Sequence, residues 1–236
     1  MKSKLASLFV TFVMLMVWSG HAAAQAVYVS GTTGIDVSYP NCRAKISNAS
    51  FGIVGVTGGM GFSSNSCLAA EASHFNNLSL YVNTGYPDKS YGLNYQNWPK
   101  VCANDDLNCL AYNYGYNAGL YAVNYAKAQG VWSTVWWEDV ETMNSWTSDV
   151  NQNQNSLQGE YDALVSAGAS TVGVYSTTAQ WTTITGGWKN LWPSWGATTW
   201  RTAKQAATYC TGHEFTGGPS YLMQFTGRTL DQDYAC

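Results

Sequence analysis

Apolar and polar positions along this chain change period several times, and the changes mark out its elements. Short runs rich in β-branched and aromatic residues stand at 34–38 (GIDVS), 51–57 (FGIVGVT), 78–83 (LSLYVN), 132–139 (WSTVWWED) and 171–175 (TVGVY), and each predicts a strand. Amphipathic stretches at 66–76, 109–129, 152–168 and 177–185 alternate with them and predict helices. In the third, Leu157, Tyr161, Leu164 and Val165 recur at helical spacing, and Gly168 supplies the left-handed residue that ends a helix. After Ile184 the rhythm changes, and Trp- and Gly-rich pieces at 191–197 and 220–225 read as strands joined by loops. The Tyr-, Asn- and Pro-rich stretch between Thr84 and Asn108 has little periodicity and reads as a long βα loop.

Strands alternating with helices are the pattern of βα units feeding a parallel sheet. The expected fold class is α/β, a TIM-like (β/α) barrel with its later helices reduced and disulfides stapling it. In such a barrel the groups that do chemistry stand at the C-terminal strand ends.

The first residues set the compartment. Lys2 and Lys4 precede an apolar run from Leu5 to Trp18, and the small residues Ala22, Ala23 and Ala24 follow. This is the pattern of a secretory signal peptide over 1–25, its apolar core short of the roughly 20 residues that span a bilayer. A retained membrane anchor is the competing reading. Residues 26–236 then form one expected domain, secreted to an extracellular or periplasmic space, monomeric and without membrane contact after cleavage. Charged residues make up only 11% and aromatics 14%, a surface suited to meeting sugars. The net charge of −3 and the lack of a basic run leave nucleic acid a poor partner.

All six cysteines, Cys42, Cys67, Cys102, Cys109, Cys210 and Cys236, lie beyond the leader, and an even count in an exported chain implies disulfides. Six cysteines allow 15 pairings. Pairing Cys42 with Cys67, Cys102 with Cys109 and Cys210 with Cys236 closes local loops or fastens a terminus. Zinc is the rival use, but the chain lacks a CxxC pair, and His74 and His213 are isolated, so no metal or other cofactor is expected.

Acidic residues number only 14, yet several fall at predicted strand ends: Asp36, the group Glu138, Asp139 and Glu141, and Asp231 with Asp233. Residues two apart on a strand share a face and are separated by about 6.6 Å of rise, so Asp139 and Glu141 point together and Glu138 points away. Two neighbouring carboxylates repel, and the less solvated one keeps its proton to higher pH. Glycoside hydrolysis needs such a division, a proton for the leaving oxygen and an anion to steady the oxocarbenium-like centre. Barrel closure sets the first and last strands side by side, which brings Asp36 and Asp231 into reach. The plainer readings are a cap for Asp36, a turn residue for Asp231, and for the D-x-E a solvated strand end. Glu138 would face the helix layer, where an unpaired carboxylate is costly; a Lys or Arg partner would relieve it.

These residues resemble the lysozyme-type muramidases of glycoside hydrolase family 25. The resemblance runs through Gly34-Ile35-Asp36-Val37-Ser38, Val56-Thr57-Gly58-Gly59, Trp137-Glu138-Asp139-Val140-Glu141, Val174-Tyr175-Ser176, Trp195-Gly196-Ala197, Met223-Gln224-Phe225 and Leu230-Asp231-Gln232-Asp233. It implies five βα units completed by strands with few helices. It also implies Glu141 as general acid, Asp139 as the carboxylate that supports the substrate's N-acetyl group or the developing cation, and Asp36 and Asp231 as flanking acids. Tyr175, Gln224 and Trp137 resemble cleft-lining positions, plain barrel packing being the alternative. The acidic Glu138, the 84–108 insertion and the cysteine framework depart from the best-known muramidases.

The function so implied is cleavage of β-1,4 bonds in peptidoglycan or a related N-acetylated glycan. The same barrel could instead serve a binding or interaction protein, because fold does not fix function. A hydrolase for another polysaccharide is a third reading.

Overall fold

The computed structural model describes residues 27–46 and 49–236. The predicted leader lies outside the described residues. Eight strands close into a barrel in chain order: β1 (Thr33–Val37), β2 (Gly52–Gly55), β3 (Leu78–Asn83), β4 (Val135–Asp139), β5 (Thr171–Ser176), β6 (Ser194–Ala197), β7 (Ser220–Phe225) and β8 (Gln232–Ala235). The first seven run parallel. β8 runs antiparallel to both β7 and β1 and closes the ring. The expected TIM-like barrel is therefore present, with one inverted strand.

Helices follow most strands: α1 (Leu68–Ala72), α2 (Lys89–Leu93), α3 (Leu107–Ala128), α4 (Val150–Ser166), α5 (Thr178–Thr185) and α6 (Ala203–Ala207). The long ones are α3 and α4, after β3 and β4, and the later α5 and α6 have only 8 and 5 residues, in keeping with the expected reduction. The 84–108 stretch is not wholly loop, because Asp88 caps α2 by accepting from Ser90 N. The chain starts α3, α4 and α5 where Asp106, Asp149 and Thr177 accept from backbone N–H groups of the first turn. Gly168, at φ +109°, follows the end of α4 in the left-handed region. On α4 the predicted stripe is buried at Leu157 and Leu164, whereas Val165 lies at its edge and is exposed.

Strand alternation divides the core into two shells. Ile35, Val37, Val54, Val56, Leu80, Val82, Trp136 and Val172 point outward beneath the helices. Phe51, Ile53, Trp137, Trp195 and Leu222 fill the barrel interior together with Tyr28 and Ala235. Each large apolar side chain so buried contributes roughly 1.5–3 kcal/mol of transfer free energy. The helices pack closely enough that a Cβ on Gly115 of α3 would lie 1.8 Å from the Ser156 carbonyl oxygen of α4.

Disulfides join Cys42 to Cys67, Cys102 to Cys109 and Cys210 to Cys236. They staple the β1–β2 connection to α1, the insertion to α3, and the segment after α6 to the end of β8.

Candidate active site

The mouth of the barrel holds an acidic cavity of about 180 Å³, lined by Asp36, Tyr81, Asp139, Glu141, Tyr175, Trp195, Gln224 and Asp231. Six of the seven residues singled out in the sequence therefore meet around one space. Asp36 comes from β1, Tyr81 from β3, Asp139 from the last position of β4, Tyr175 from β5, Trp195 from β6 and Gln224 from β7. Glu141 lies two residues past β4. The ladder continues to Val140, whose N–H donates to the Tyr175 carbonyl at 2.9 Å, so the alternation that aims Asp139 inward aims Glu141 the same way. Asp231 precedes β8 and stands exposed at the rim. Because β8 is inverted, it is the start of this strand, not its end, that reaches the mouth.

Trp137, the seventh residue, does not line the cavity. It sits one inward position deeper than Asp139, fully buried, with Nε1 donating to Tyr28 Oη at 3.0 Å and its ring against Trp195. Gly173 on the neighbouring strand leaves room for it, since a Cβ there would lie 2.4 Å from the Trp137 ring. Trp137 is thus part of the platform on which the cavity rests.

Hydrogen bonds fix the carboxylates. Tyr175 Oη donates to Gln224 Oε1 at 2.8 Å, and Gln224 Nε2 donates to Asp36 Oδ2 at 3.0 Å. Asn83 Nδ2 donates to Asp139 Oδ2, and Thr57 Oγ1 donates to Asn83 Oδ1 at 2.7 Å, which orients that amide. The other carboxyl oxygen of Asp139 is buried without a partner among the described residues. Asp233, one inward position below Asp231, accepts from Trp195 Nε1 at 2.7 Å. The sequence reading named Asp233 at a strand end without choosing it, and it missed Tyr81, Asn83 and Trp195 as site residues.

None of the residues lining the cavity is cationic, so burial and mutual repulsion govern protonation. Desolvation pushes the Asp139 carboxyl well above the ordinary carboxylate range, and the nearby Glu141 and Asp36 charges add to it against the lowering effect of Asn83. Desolvation likewise raises Asp36 to about 7, with Gln224 opposing and Asp231 adding. Asp233 is raised well above normal by burial and by Asp36, its diagonal neighbour across the β1–β8 pair, so these two acids cannot both ionise cheaply. Partial desolvation raises Asp231. Of the carboxyls lining the cavity, burial pushes Asp139 and Asp36 toward the protonated form.

Glu138 faces outward from β4, buried beneath α4, and both its carboxyl oxygens lack partners among the described residues. The Lys or Arg that would relieve it is not among its charged neighbours. Its charged neighbours are Glu160 and Asp162, and desolvation with their repulsion keeps it neutral to unusually high pH. Among the described residues no cluster of three or more His, Cys, Asp or Glu is placed to hold a metal ion.

Solved structures of similar shape include the bacterial lysozyme from Streptomyces coelicolor, at a TM-score of 0.57 and 17% identity over 88% of this chain and 93% of that one. The chain has the barrel of the lysozyme-type muramidases. A muramidase from Trichobolus zukalii matches at a TM-score of 0.53 and 14% identity, covering 87% of this chain and 93% of its own. The modular autolysin LytC from Streptococcus pneumoniae, solved with a synthetic peptidoglycan ligand, matches at 0.55 and 14% identity over 86% of this chain and 46% of that one. No protein-family model matches the sequence, and no curated protein matches it. At these identities the shared property is the fold, a peptidoglycan-hydrolase-like barrel.

Proposed function

We propose that this protein is a secreted glycoside hydrolase, a lysozyme-like N-acetylmuramidase that cleaves β-1,4 bonds of peptidoglycan or a related N-acetylated glycan. The observation that carries this reading is the meeting of Asp139 and Glu141 in one cavity with Asp36 and Asp231 on its other side. Four carboxyls with no cation among the lining residues suit a reaction that develops positive charge on a sugar.

Burial favours the protonated form of Asp139 in the free protein, and an acetamido N–H donating to its carboxyl would favour the anion. Glu141 is only half-buried and reaches the mouth. Glu141 then protonates the leaving oxygen as general acid. Asp139, held by Asn83, supports the acetamido group or the oxocarbenium-like centre. Asp36 and Asp231 receive substrate hydroxyls and tune the pair, and Tyr175 and Gln224 fix Asp36 in place.

The cysteine framework and the leader pattern support export, and the chain is expected to act as a monomer over residues 26–236. Release of reducing sugars from purified cell walls tests the reading: wild type should solubilise walls and Glu141→Gln should lose roughly 10²–10⁴-fold of the rate. Equal activity in both, or binding to walls without cleavage, would point to the glycan-binding alternative.

A further inference from the structure

A second cavity, larger than the acidic one, opens beside it with a volume of about 450 Å³. That lies within the roughly 300–1,000 Å³ of small-molecule pockets. Its walls come from residues 59–62 after β2, from Thr84 to Tyr95 after β3, from Tyr114 of α3, and from Met143–Ser145 after β4. Six of its 14 lining residues belong to the 84–108 insertion, which contributes none to the acidic cavity.

The pocket is aromatic and built in advance. The rings of Phe62 and Tyr95 stack with centroids 5.2 Å apart and planes 4° apart. Tyr114 meets both edge-on, at 5.2 and 6.2 Å, and Tyr91 joins at 6.3 Å. Phe62 has φ +57°, a left-handed conformation that is a true outlier for a bulky residue and that tends to persist at ligand clamps. The Asn113 amide donates to the carbonyls of Tyr95 and Lys100 at 2.7 Å each, and the Cys102–Cys109 bridge ties the insertion to α3.

The lining carries no charged side chain. A charged ligand group would be desolvated there without compensation. Aromatic faces, whose π clouds are negative, attract the C–H face of a neutral pyranose, while Asn94, Asn144, Ser145 and the phenols can bond hydroxyl and acetamido groups. The two cavities also share a wall. Thr84 Oγ1 and Asn144 Nδ2, both lining the aromatic pocket, donate to the Asp139 carbonyl oxygen at 2.8 and 2.9 Å. Asp139 thus has its carboxyl in the acidic cavity and its carbonyl held from the aromatic one.

We propose that the aromatic pocket is a distal sugar site that holds a neutral N-acetylated pyranose of the same glycan strand, away from the bond that is cut. This rests on the glycan reading of the acidic cavity. Binding at a ring remote from the reacting centre helps long strands and leaves short fragments untouched.

The test is calorimetric titration of the Glu141→Gln protein with N-acetylglucosamine oligomers of two to six sugars, repeated with Tyr91→Ala or Tyr95→Leu added. Tyr91 is 49% exposed, so its removal leaves folding intact even where Tyr95→Leu does not. Affinity should rise at least 10-fold from the shortest to the longest oligomer, and either variant should abolish that rise while short-oligomer affinity stays the same. A rise unchanged in both variants, or a gain only for stem peptides or alkyl amphiphiles, overturns the proposal. Wall digestion by the parent sequence separates the two readings. A pocket-dependent rise without digestion keeps the sugar site and removes the hydrolase, and digestion with unaltered binding does the reverse.

Discussion

Gln224 on β7 donates its side-chain amide to Asp36 on β1 at 3.0 Å, spanning the inverted strand β8 that separates them. The bond holds the Asp36 carboxyl at the mouth and favours its ionised form. Its removal has a direct readout. In a ¹³C-detected titration the Asp36 carboxyl should change state near pH 7 in the wild type, the value set mainly by burial, and at higher pH in Gln224→Leu. An unchanged or lower midpoint in the variant would mean that Gln224 does not stabilise the anion.

The buried carboxyls also set how stability follows pH. Asp36, Glu138, Asp139, Glu160 and Asp233 are all pushed above their ordinary values, chiefly by desolvation. The unfolded chain releases these protons near pH 4 while the folded protein keeps them, so between those limits the unfolded state binds fewer protons and stability falls as pH rises. For Asp36 the window runs from 3.8 to about 7. The melting temperature should be higher at pH 5 than at pH 8, and Glu138→Gln should narrow the gap by removing one of the ionisations that unfolding favours. Calorimetry across that range checks both, and a Tm that climbs toward pH 8 would contradict them.

Strand patterning makes most of this legible in the sequence. Alternation in WWEDV predicted that Asp139 and Glu141 share a face and that Glu138 turns to the helix layer, and the barrel follows that alternation. The same rule applied to LSLYVN would have found Tyr81 and Asn83, because Ser79, Tyr81 and Asn83 alternate with the outward Leu80 and Val82, and Asn83 stands in register with Asp139. Asp233 was less accessible. Whether it lies at the mouth or below it depends on the direction of the last strand, and a four-residue strand next to a chain end does not encode direction. Trp137 shows the complementary limit: pattern gives the face of a residue, not its depth, and one inward step places it under the cavity.

Gly115 bears on how the helix layer supports β4. A methyl group there would overlap the Ser156 carbonyl, which backbone adjustment relieves only by parting α3 from α4. Gly115→Ala should cost about 1–3 kcal/mol by overpacking, measured by urea unfolding. A change below a few tenths would show that the helices can separate freely.

The bridge from Cys210 to Cys236 closes a segment of 26 residues that includes β7 and β8. Replacing both cysteines by alanine should destabilise the protein by about 3 kcal/mol on the chain-entropy model. Denaturant midpoints of the two forms, compared at equal slope, give the difference. No shift would mean that the strands are held by their ladder alone.

Mass spectrometry of purified peptidoglycan after incubation speaks most directly to the pairing of Asp139 with Glu141. The wild type should generate fragments with new N-acetylmuramic acid reducing ends, while Glu141→Gln and Asp139→Asn, both still folded, should generate almost none. Equal yields from all three proteins, or no new reducing ends with the wild type on any N-acetylated glycan, would contradict acid catalysis in this cavity.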